Sequence, residues 1–209
     1  MKNINISLSN IPMFLESEYF IKDSMIQDKI HYIKKNELTK SKKKRVCIAI
    51  HSTAQAKYWN NPEGWQDLVN WHIKNGYSVY IASSEEDGYM GNWYPRGARR
   101  LPTNLEEVAN WIKHSEYFIG ISSGLSWLAW SLDVPVVLIS GFTPEICEFT
   151  DKTLRIINKS VCNSCWEWDH FDKNNWHWCP KHKGTQKQFE CTKTITATDV
   201  INKIQTWIR

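Results

Sequence analysis

The sequence predicts an α/β fold with a Rossmann-like parallel sheet, followed by a metal-binding segment near the carboxyl terminus. From Arg45 onward, short runs of β-branched and other apolar residues alternate with stretches whose apolar residues recur at the helical period. Strands that alternate with helices form a parallel sheet that is covered on both faces. Four cysteines in the last quarter of the chain are spaced like the ligands of one metal ion.

The predicted elements follow one another in a regular order. Strands are expected at 45–51, 78–83, 117–122, 135–141 and 154–158. Helices are expected at 62–76, 104–115, 123–132 and 197–208. Pro62 and Gly76 are residues that commonly mark the two ends of a helix, and Asn104 precedes two acidic residues, as in a capped first turn. Thr196 or Thr198 is expected to cap the last helix.

Length and composition favour one globular core. The chain has 209 residues, of which 42% are hydrophobic, and this is enough for one domain with an appendage. No run approaches the roughly 18 apolar residues that a membrane-spanning helix needs, and the first residues lack the apolar stretch of an export signal. We therefore expect a cytoplasmic protein with no membrane insertion.

A basic run separates a partial N-terminal element, at 1–44, from the α/β domain. Seven of the 26 basic residues lie within 34–45. Such a run is either a solvated linker or a contact for nucleic acid or for an anionic membrane surface, and a zinc-ribbon nucleic-acid binder is one alternative for the chain. Because no aromatic platform is interleaved with these residues, we expect no nucleic-acid partner.

The four cysteines predict a metal site. Cys162 and Cys165 form a C-x-x-C pair, and Cys179 and Cys191 follow. Two intervening residues allow both thiolates of the pair to face one ion, and the later two complete a tetrahedral set. Two disulfides are the alternative, but they are typical of small secreted domains rather than of a chain of this length. Four thiolates suit zinc and iron equally.

Polar residues follow three of the predicted strands, at the edge where ligands bind to sheets of this kind. After the first strand, Thr53 offers a hydroxyl group and Lys57 a positive charge for a phosphate. After the fourth strand, Gly141 and Thr143 precede Pro144 at the start of another predicted helix. Lys57 as a surface lysine, and the later residues as plain helix caps, are the structural alternatives.

The loop after the third strand completes this candidate ligand site. Its residues are Ser122, Ser123, Gly124, Leu125 and Ser126. Glycine lets the backbone approach a ligand closely, and the free N–H groups at the start of the following helix favour a diphosphate. Ser123 acting only as a helix cap is the alternative.

These motifs together resemble the ADP-heptose heptosyltransferases. Lys57 is followed by Trp59, Pro62 and a helix, and later by the segment SSGLSWLAWSLDVPVVLISGFTPE. The continuation through CNSC, WCP and FECTK narrows the resemblance to the bacterial autotransporter heptosyltransferase family. The resemblance covers residues 45–209.

The resemblance implies the C-terminal half of a GT-B glycosyltransferase. It implies that the domain binds ADP-heptose, that the complete enzyme attaches heptose to serines of autotransporter adhesins, and that the chains form a dodecameric homo-oligomer. It implies one iron ion per chain, with zinc as the alternative, held by the four cysteines. The implied division is a nucleotide-sugar-binding domain at 45–158, a Trp-rich metal-binding insertion at 159–196 and a C-terminal helix at 197–209.

Site residues carry over from the family position by position. Lys57 matches the lysine near the diphosphate, where it would stabilise the transition state, and Ser123, Gly124 and Leu125 match the loop that cradles the diphosphate. Two positions depart from the enzymes of the lipopolysaccharide core. Ser122 stands where those enzymes carry an acid, and Trp127 stands where they carry a histidine.

A complete GT-B enzyme also needs a second domain across the cleft from the first. Only 44 residues precede the α/β domain here, and the general base that would deprotonate the acceptor serine is unknown in this sequence. We therefore expect a donor-binding domain that lacks its acceptor domain and has low activity in isolation. A non-catalytic, metal-stabilised oligomerisation or binding module is the alternative.

Overall fold

The structure is a computed structural model that describes residues 44–168, 170 and 178–207. The predicted element at 1–44 lies outside the described residues, apart from Lys44. Most of the Trp-rich segment between Cys165 and Cys179 lies outside them as well.

The described part of the chain forms a parallel sheet of six strands. The strands are β1 (Arg45–Ala49), β2 (Ser78–Ile81), β3 (Arg99–Arg100), β4 (Tyr117–Ile121), β5 (Val136–Ile139) and β6 (Thr153–Ile156). Their order in the sheet is β3-β2-β1-β4-β5-β6, and every pair is parallel. The helices are α1 (Gly64–Lys74), α2 (Leu105–Lys113), α3 (Gly124–Ser131), α4 (Glu190–Lys193) and α5 (Ala197–Trp207).

The structure confirms the predicted parallel α/β fold. Each of the five predicted strands is present, and the edge strand β3 is an addition. Strand β3 has only two residues, both exposed arginines, so it lacks the apolar run by which the other strands were recognised. The helix expected to begin at Pro144 is instead a single 3-10 turn, Glu145–Cys147.

Alternate strand residues face opposite sides of the sheet, and helices cover both sides. Val46, Ile48 and Ile50 belong to a buried cluster that includes residues of α1 and α5. Between them, Cys47 accepts a hydrogen bond at its Sγ from Ser115 Oγ (3.1 Å), just after α2. Helices α1 and α5 therefore lie on one side of the sheet, and α2 lies on the other.

Two of the predicted helix caps are present. Asn104 Oδ1 accepts hydrogen bonds from the backbone N–H groups of Glu106 (2.9 Å) and Glu107 (3.2 Å). Thr196 and Asp199 form a reciprocal pair at the start of α5, in which each side chain accepts from the backbone N–H of the other. Thr196, rather than Thr198, is thus the cap of the last helix.

Helix α1 begins at Gly64, two residues after Pro62, and this glycine is the site of a close contact. A Cβ atom at Gly64 would lie 2.5 Å from the Trp59 ring, so only glycine leaves room for this indole. Trp59 is almost fully buried, and its Nε1 donates a hydrogen bond to the Ile195 carbonyl (2.8 Å). Glycine here allows the segment after β1 to pack tightly against the chain just before α5.

Among the described residues, no helix combines the length and the apolar character that crossing a lipid bilayer requires.

A buried histidine in α1 makes the stability of this fold dependent on pH. His72 is 1% exposed; its Nδ1–H donates to the Leu68 carbonyl (2.7 Å), and its Nε2 accepts from the Tyr117 hydroxyl (2.7 Å). Burial lowers the pKa of His72 from 6.5 to about 4, and the bond to Leu68 opposes this shift in part. The imidazole is therefore neutral in the folded chain at neutral pH.

We predict that His72 weakens the fold in acid. Between pH 6.5 and about 4 the unfolded chain takes up a proton on this residue and the folded chain does not. The free energy of unfolding therefore falls as the pH falls, by roughly 3 kcal/mol in total. Replacing His72 with Gln should reduce the loss of unfolding free energy between about pH 7 and about pH 5, as measured by denaturant titrations. His114→Gln is the matched control and should lose as much unfolding free energy as the wild type. An equally large loss in His72→Gln would contradict the prediction.

Candidate functional site

Three loops meet at the carboxyl edge of the sheet, as the sequence predicts. Strand β4 lies between β1 and β5, so the loops after these three strands are neighbours. Ser52 Oγ, after β1, donates to the Ser122 carbonyl after β4 (3.3 Å). Thr143 Oγ1, after β5, donates to Ser122 Oγ (3.0 Å). Ser122 is thus the point at which all three loops are joined.

The loop after β1 presents Thr53 and Lys57 in different ways. Thr53 is exposed. Lys57 ends the 3-10 turn Gln55–Lys57 and is only 3% exposed. The sequence suggests a lysine that reaches a ligand from the surface, whereas the structure places this side chain inside the edge of the site.

The loop is held in place by the chain that precedes α5. Asn60 Nδ2 donates to Thr192 Oγ1 (3.1 Å), and Asn61 Nδ2 donates to the carbonyl of Lys193 (2.9 Å). With the Trp59–Ile195 bond, these contacts fasten the loop at three successive residues. The position of Lys57 therefore depends on the C-terminal part of the chain.

The start of α3 is open towards the site. Ser123 does not cap this helix with its side chain, and its buried Oγ has no hydrogen-bond partner among the described residues. Gly124 is exposed, and a Cβ atom there would have no neighbour within 4 Å among the residues that the structure describes. The N–H groups of Gly124 and Leu125 belong to the first turn of α3, where a helix has no internal acceptors for them. The plain-cap alternative for Ser123 is thus not what the structure shows.

The other predicted site residues have roles within the fold. Ser126 is fully buried, and its Oγ donates to the Ile121 carbonyl (2.6 Å). A Cβ atom at Gly141 would lie 2.7 Å from Thr192 Cγ2 and 2.9 Å from Cys191 Sγ, so this glycine lets two chain segments pack closely. Thr143, besides its bond to Ser122, accepts a hydrogen bond at its carbonyl from Arg155.

A buried carboxylate that the sequence analysis did not single out lies at the same edge. Glu148 is 8% exposed. Burial raises the pKa of Glu148, and this rise is opposed by the Ser122 hydroxyl and then by the charges of Arg155 and Lys57. Two basic side chains and one carboxyl group therefore lie close together at this edge. The carboxylate is also brought next to Ser122, the position at which the sequence lacks an acid.

Arg155 joins this charge cluster to the sheet. Its Nη2 donates to Ser140 Oγ (3.0 Å) and to the Thr143 carbonyl. Burial lowers the pKa of Arg155, and the charge of Glu148 opposes this change. A charged residue inside the apolar run LRII was the one sequence signal for this cluster, because such a residue is rarely buried without a partner.

The four C-terminal cysteines lie in one neighbourhood as free thiols. Cys165, Cys179 and Cys191 are buried, and Cys162 is half-buried. Burial raises the pKa of Cys191 to about 12, and the other three thiols add to this rise. In the described part of the chain, however, no three or more His, Cys, Asp or Glu side chains are arranged closely enough to hold a metal ion. The structure thus brings the cysteines together without forming a ligating cage.

The cysteines pack directly against the loops of the site. Cys165 and Cys179 share one apolar cluster with Ala56, Phe142 and Phe189. Ala56 belongs to the same 3-10 turn as Lys57, and Phe142 lies in the loop after β5. The cysteine region and the candidate ligand site are therefore parts of one packed unit.

Comparison with known proteins identifies the family. The sequence profile of glycosyltransferase family 9 (heptosyltransferase) matches residues 14–165. The autotransporter heptosyltransferase BAHTCr of Citrobacter rodentium is 46% identical over 163 residues, which are 74% of this chain and 39% of that protein. BimC of Burkholderia thailandensis, an inactive autotransporter heptosyltransferase, is 36% identical over 168 residues, which are 77% of this chain and 39% of that protein.

A solved structure supports the same assignment. The dodecameric, iron-containing heptosyltransferase TibC, in complex with ADP-D-β-D-heptose, superimposes with a TM-score of 0.74 at 39% identity and covers 85% of this chain. The match covers 47% of the TibC chain, so this chain spans less than half the length of the relatives that it matches. The chain belongs to glycosyltransferase family 9, the heptosyltransferases, and within it to the autotransporter heptosyltransferases.

Proposed function

We propose that this chain is the donor-binding domain of an autotransporter heptosyltransferase and binds ADP-heptose at the carboxyl edge of its sheet. The observation that carries the proposal is the open first turn of α3, which follows Ser122 at the edge of the sheet where the loop with Lys57 also lies. Family membership and the ADP-heptose complex of TibC support it. The acceptor is then a serine of an autotransporter adhesin, and the transfer needs the part of the relatives that this chain does not span.

The domain division follows from the same proposal. Residues 45–158 form the nucleotide-sugar-binding domain, 159–196 the Trp-rich metal-binding insertion and 197–209 the C-terminal helix. Because residues 192–195 fasten the loop that carries Lys57, the insertion and the donor domain function as one unit.

The proposed chemistry is a direct displacement at the anomeric carbon of the heptose. The serine oxygen forms a bond to this carbon while the bond from the carbon to the diphosphate oxygen breaks, and ADP leaves with the electron pair. The serine proton passes to a base that this chain does not identify. The N–H groups of Gly124 and Leu125 and the ammonium group of Lys57 stabilise the charge that develops on the departing diphosphate. Glu148 lies within range of the charges of Lys57 and Arg155.

The four cysteine side chains are chemically suited to bind a metal ion. Four free thiols gathered in one buried region are suited to a tetrahedral ion, iron by analogy with TibC or zinc as the alternative. Cys162, Cys165, Cys179 and Cys191 would hold it. An ion whose ligands all come from the protein would cross-link chain segments and would not take part in catalysis. Two of its ligands, Cys165 and Cys179, pack with Ala56 and Phe142. By the same analogy we propose that the chain forms a homo-oligomer.

We predict that Lys57 contributes to ADP binding. In calorimetric titrations of the 209-residue chain, Lys57→Met should weaken ADP binding by about tenfold or more, because a charge-assisted contact to the diphosphate is lost. Lys74→Met, at an exposed lysine at the end of α1, should bind ADP like the wild type. Equal affinity in Lys57→Met would remove this residue from the diphosphate site, and no ADP binding by the wild type would contradict the proposed function.

We predict that a substitution at Gly124 weakens ADP binding without destabilising the fold. Alanine favours helices over glycine by about 1 kcal/mol, and the Cβ atom would meet no atom in the described part of the chain, so Gly124→Ala should not lower the melting temperature. The same methyl group should obstruct a diphosphate at the start of α3 and weaken ADP binding. Gly120→Ala is the contrasting variant, since its Cβ atom would lie 2.5 Å from Ser126 Oγ, and it should destabilise the fold. Unchanged ADP affinity in Gly124→Ala would argue against a diphosphate at this position.

We predict that the purified chain carries one equivalent of iron or zinc by elemental analysis. Cys165→Ser should abolish the bound metal and lower the melting temperature, because binding energy at a structural site is also folding energy. Cys147→Ser changes a buried cysteine outside the set of four and should retain the metal. A metal-free wild type, or full metal retention in Cys165→Ser, would contradict the four-cysteine site.

The non-catalytic alternative retains one specific observation in its favour, which is that the related protein BimC is inactive. In that case the metal and the oligomer would form without donor binding. ADP titration distinguishes the two functions, because a purely structural module gives no ADP binding at any concentration while it still binds metal.

A further inference from the structure

A buried histidine connects the loop after β1 to the loop after β2. His51 follows β1 and is 7% exposed. Its Nε2 lies 3.2 Å from the Asn92 carbonyl, and its Nδ1 lies 3.0 Å from Ser83 Oγ. Because a carbonyl only accepts, Nε2 carries the proton, and Nδ1 accepts from the Ser83 hydroxyl. One imidazole thus holds both ends of the segment 83–92.

The same contacts organise that segment internally. Ser83 Oγ accepts from the Glu85 N–H (3.1 Å) while it donates to His51. The Asn92 carbonyl accepts from the Gly88 N–H (3.1 Å) as well as from His51. Gly88 has a φ of +83°, a conformation that other residues rarely adopt, so the loop closes on itself at this point. His51 therefore contacts the two positions on which the shape of the loop depends.

Three tyrosine rings surround the imidazole. The ring centroids of Tyr58, Tyr89 and Tyr94 lie 6.1, 5.8 and 5.7 Å from that of His51. Tyr58 comes directly after Lys57, and its hydroxyl donates to the Ser52 carbonyl (2.8 Å). Tyr89 and Tyr94 come from the loop after β2. The two loops therefore pack around one side chain in addition to bonding to it.

The burial of His51 favours its neutral form. Burial lowers the pKa of His51, while the bond to Asn92 and the charges of Glu85 and Asp87 oppose the shift and Arg100 adds to it. The neutral ring has a free lone pair on Nδ1, which the bond from Ser83 requires.

We propose that His51 is a positioning residue that fixes the loop 83–92 beside the diphosphate-binding loop, so that this loop forms a wall for the part of the ligand beyond its diphosphate. The proposal rests on the proposed function. At the end of β5, Gly141 packs closely against Thr192 and Cys191, whereas a cavity of about 450 Å³ lies between the loops after β1 and β2. A ligand that extends from the start of α3 along the sheet edge therefore finds its room on the side of β2, where His51 holds the loop.

The test is a set of titrations of the 209-residue chain with ADP and with inorganic pyrophosphate. His51→Ala should weaken ADP binding by about tenfold and leave pyrophosphate binding unchanged, because the diphosphate contacts do not depend on the loop after β2. His51→Asn keeps an oxygen that accepts from Ser83 and should recover part of the ADP affinity. His114→Asn, remote from the site, should behave like the wild type. Deuterium exchange of residues 84–92 should rise in His51→Ala and rise less in His51→Asn.

Two results would overturn the inference alone. One is that the wild type binds ADP and the His51→Ala variant binds ADP with the same affinity. The other is an equal loss of ADP and pyrophosphate binding in the folded His51→Asn variant, which would indicate a general disturbance of the site. A wild type that binds neither compound would overturn the proposed function, and this inference with it.

Discussion

The candidate site depends on the attachment of the loop after β1 to the chain that precedes α5. Trp59, Asn60 and Asn61 each donate a side-chain hydrogen bond to the segment 192–195. These donors and acceptors are far apart in sequence, so tertiary contacts shape the loop in addition to the hydrogen bonds within it. Since Lys57 lies one turn earlier, its burial beside Glu148 follows from this attachment. The same segment begins next to Cys191, and the metal-binding insertion and the ligand loop therefore share one support.

The sequence predicts five of the six strands of the sheet, and it predicts that three loops meet at the edge of the sheet. Continuous apolar runs such as VVLI in β5 are characteristic of strands buried on both faces, and parallel order then places their carboxyl ends together. Strand β3 was not predictable in this way, because Arg99 and Arg100 are held by pairing with β2 and not by burial. The helix expected after Pro144 became a single turn, since proline at a helix start is also compatible with a 3-10 turn.

The candidate site was predicted in outline, but the division of roles within it was not. Sequence indicates that Ser123, Gly124, Ser126, Gly141 and Thr143 lie in the right loops, and only the packing shows which of them have free polar groups. Gly141 is a glycine because Cys191 and Thr192 approach it, and Ser126 bonds to the end of β4. Glu148 and His51 were missed because their partners come from other strands, and no local pattern reveals such partners.

The edge strand also limits how copies of this chain can associate. Strand β3 ends the sheet on one side with two exposed arginines. An unpaired strand edge is a template for hydrogen bonding to another strand, and like charges at such an edge oppose the pairing. A second copy would bring the same two guanidinium groups to the junction, so sheet extension across β3 is electrostatically unfavourable. Identical copies are therefore not expected to join their sheets across this edge.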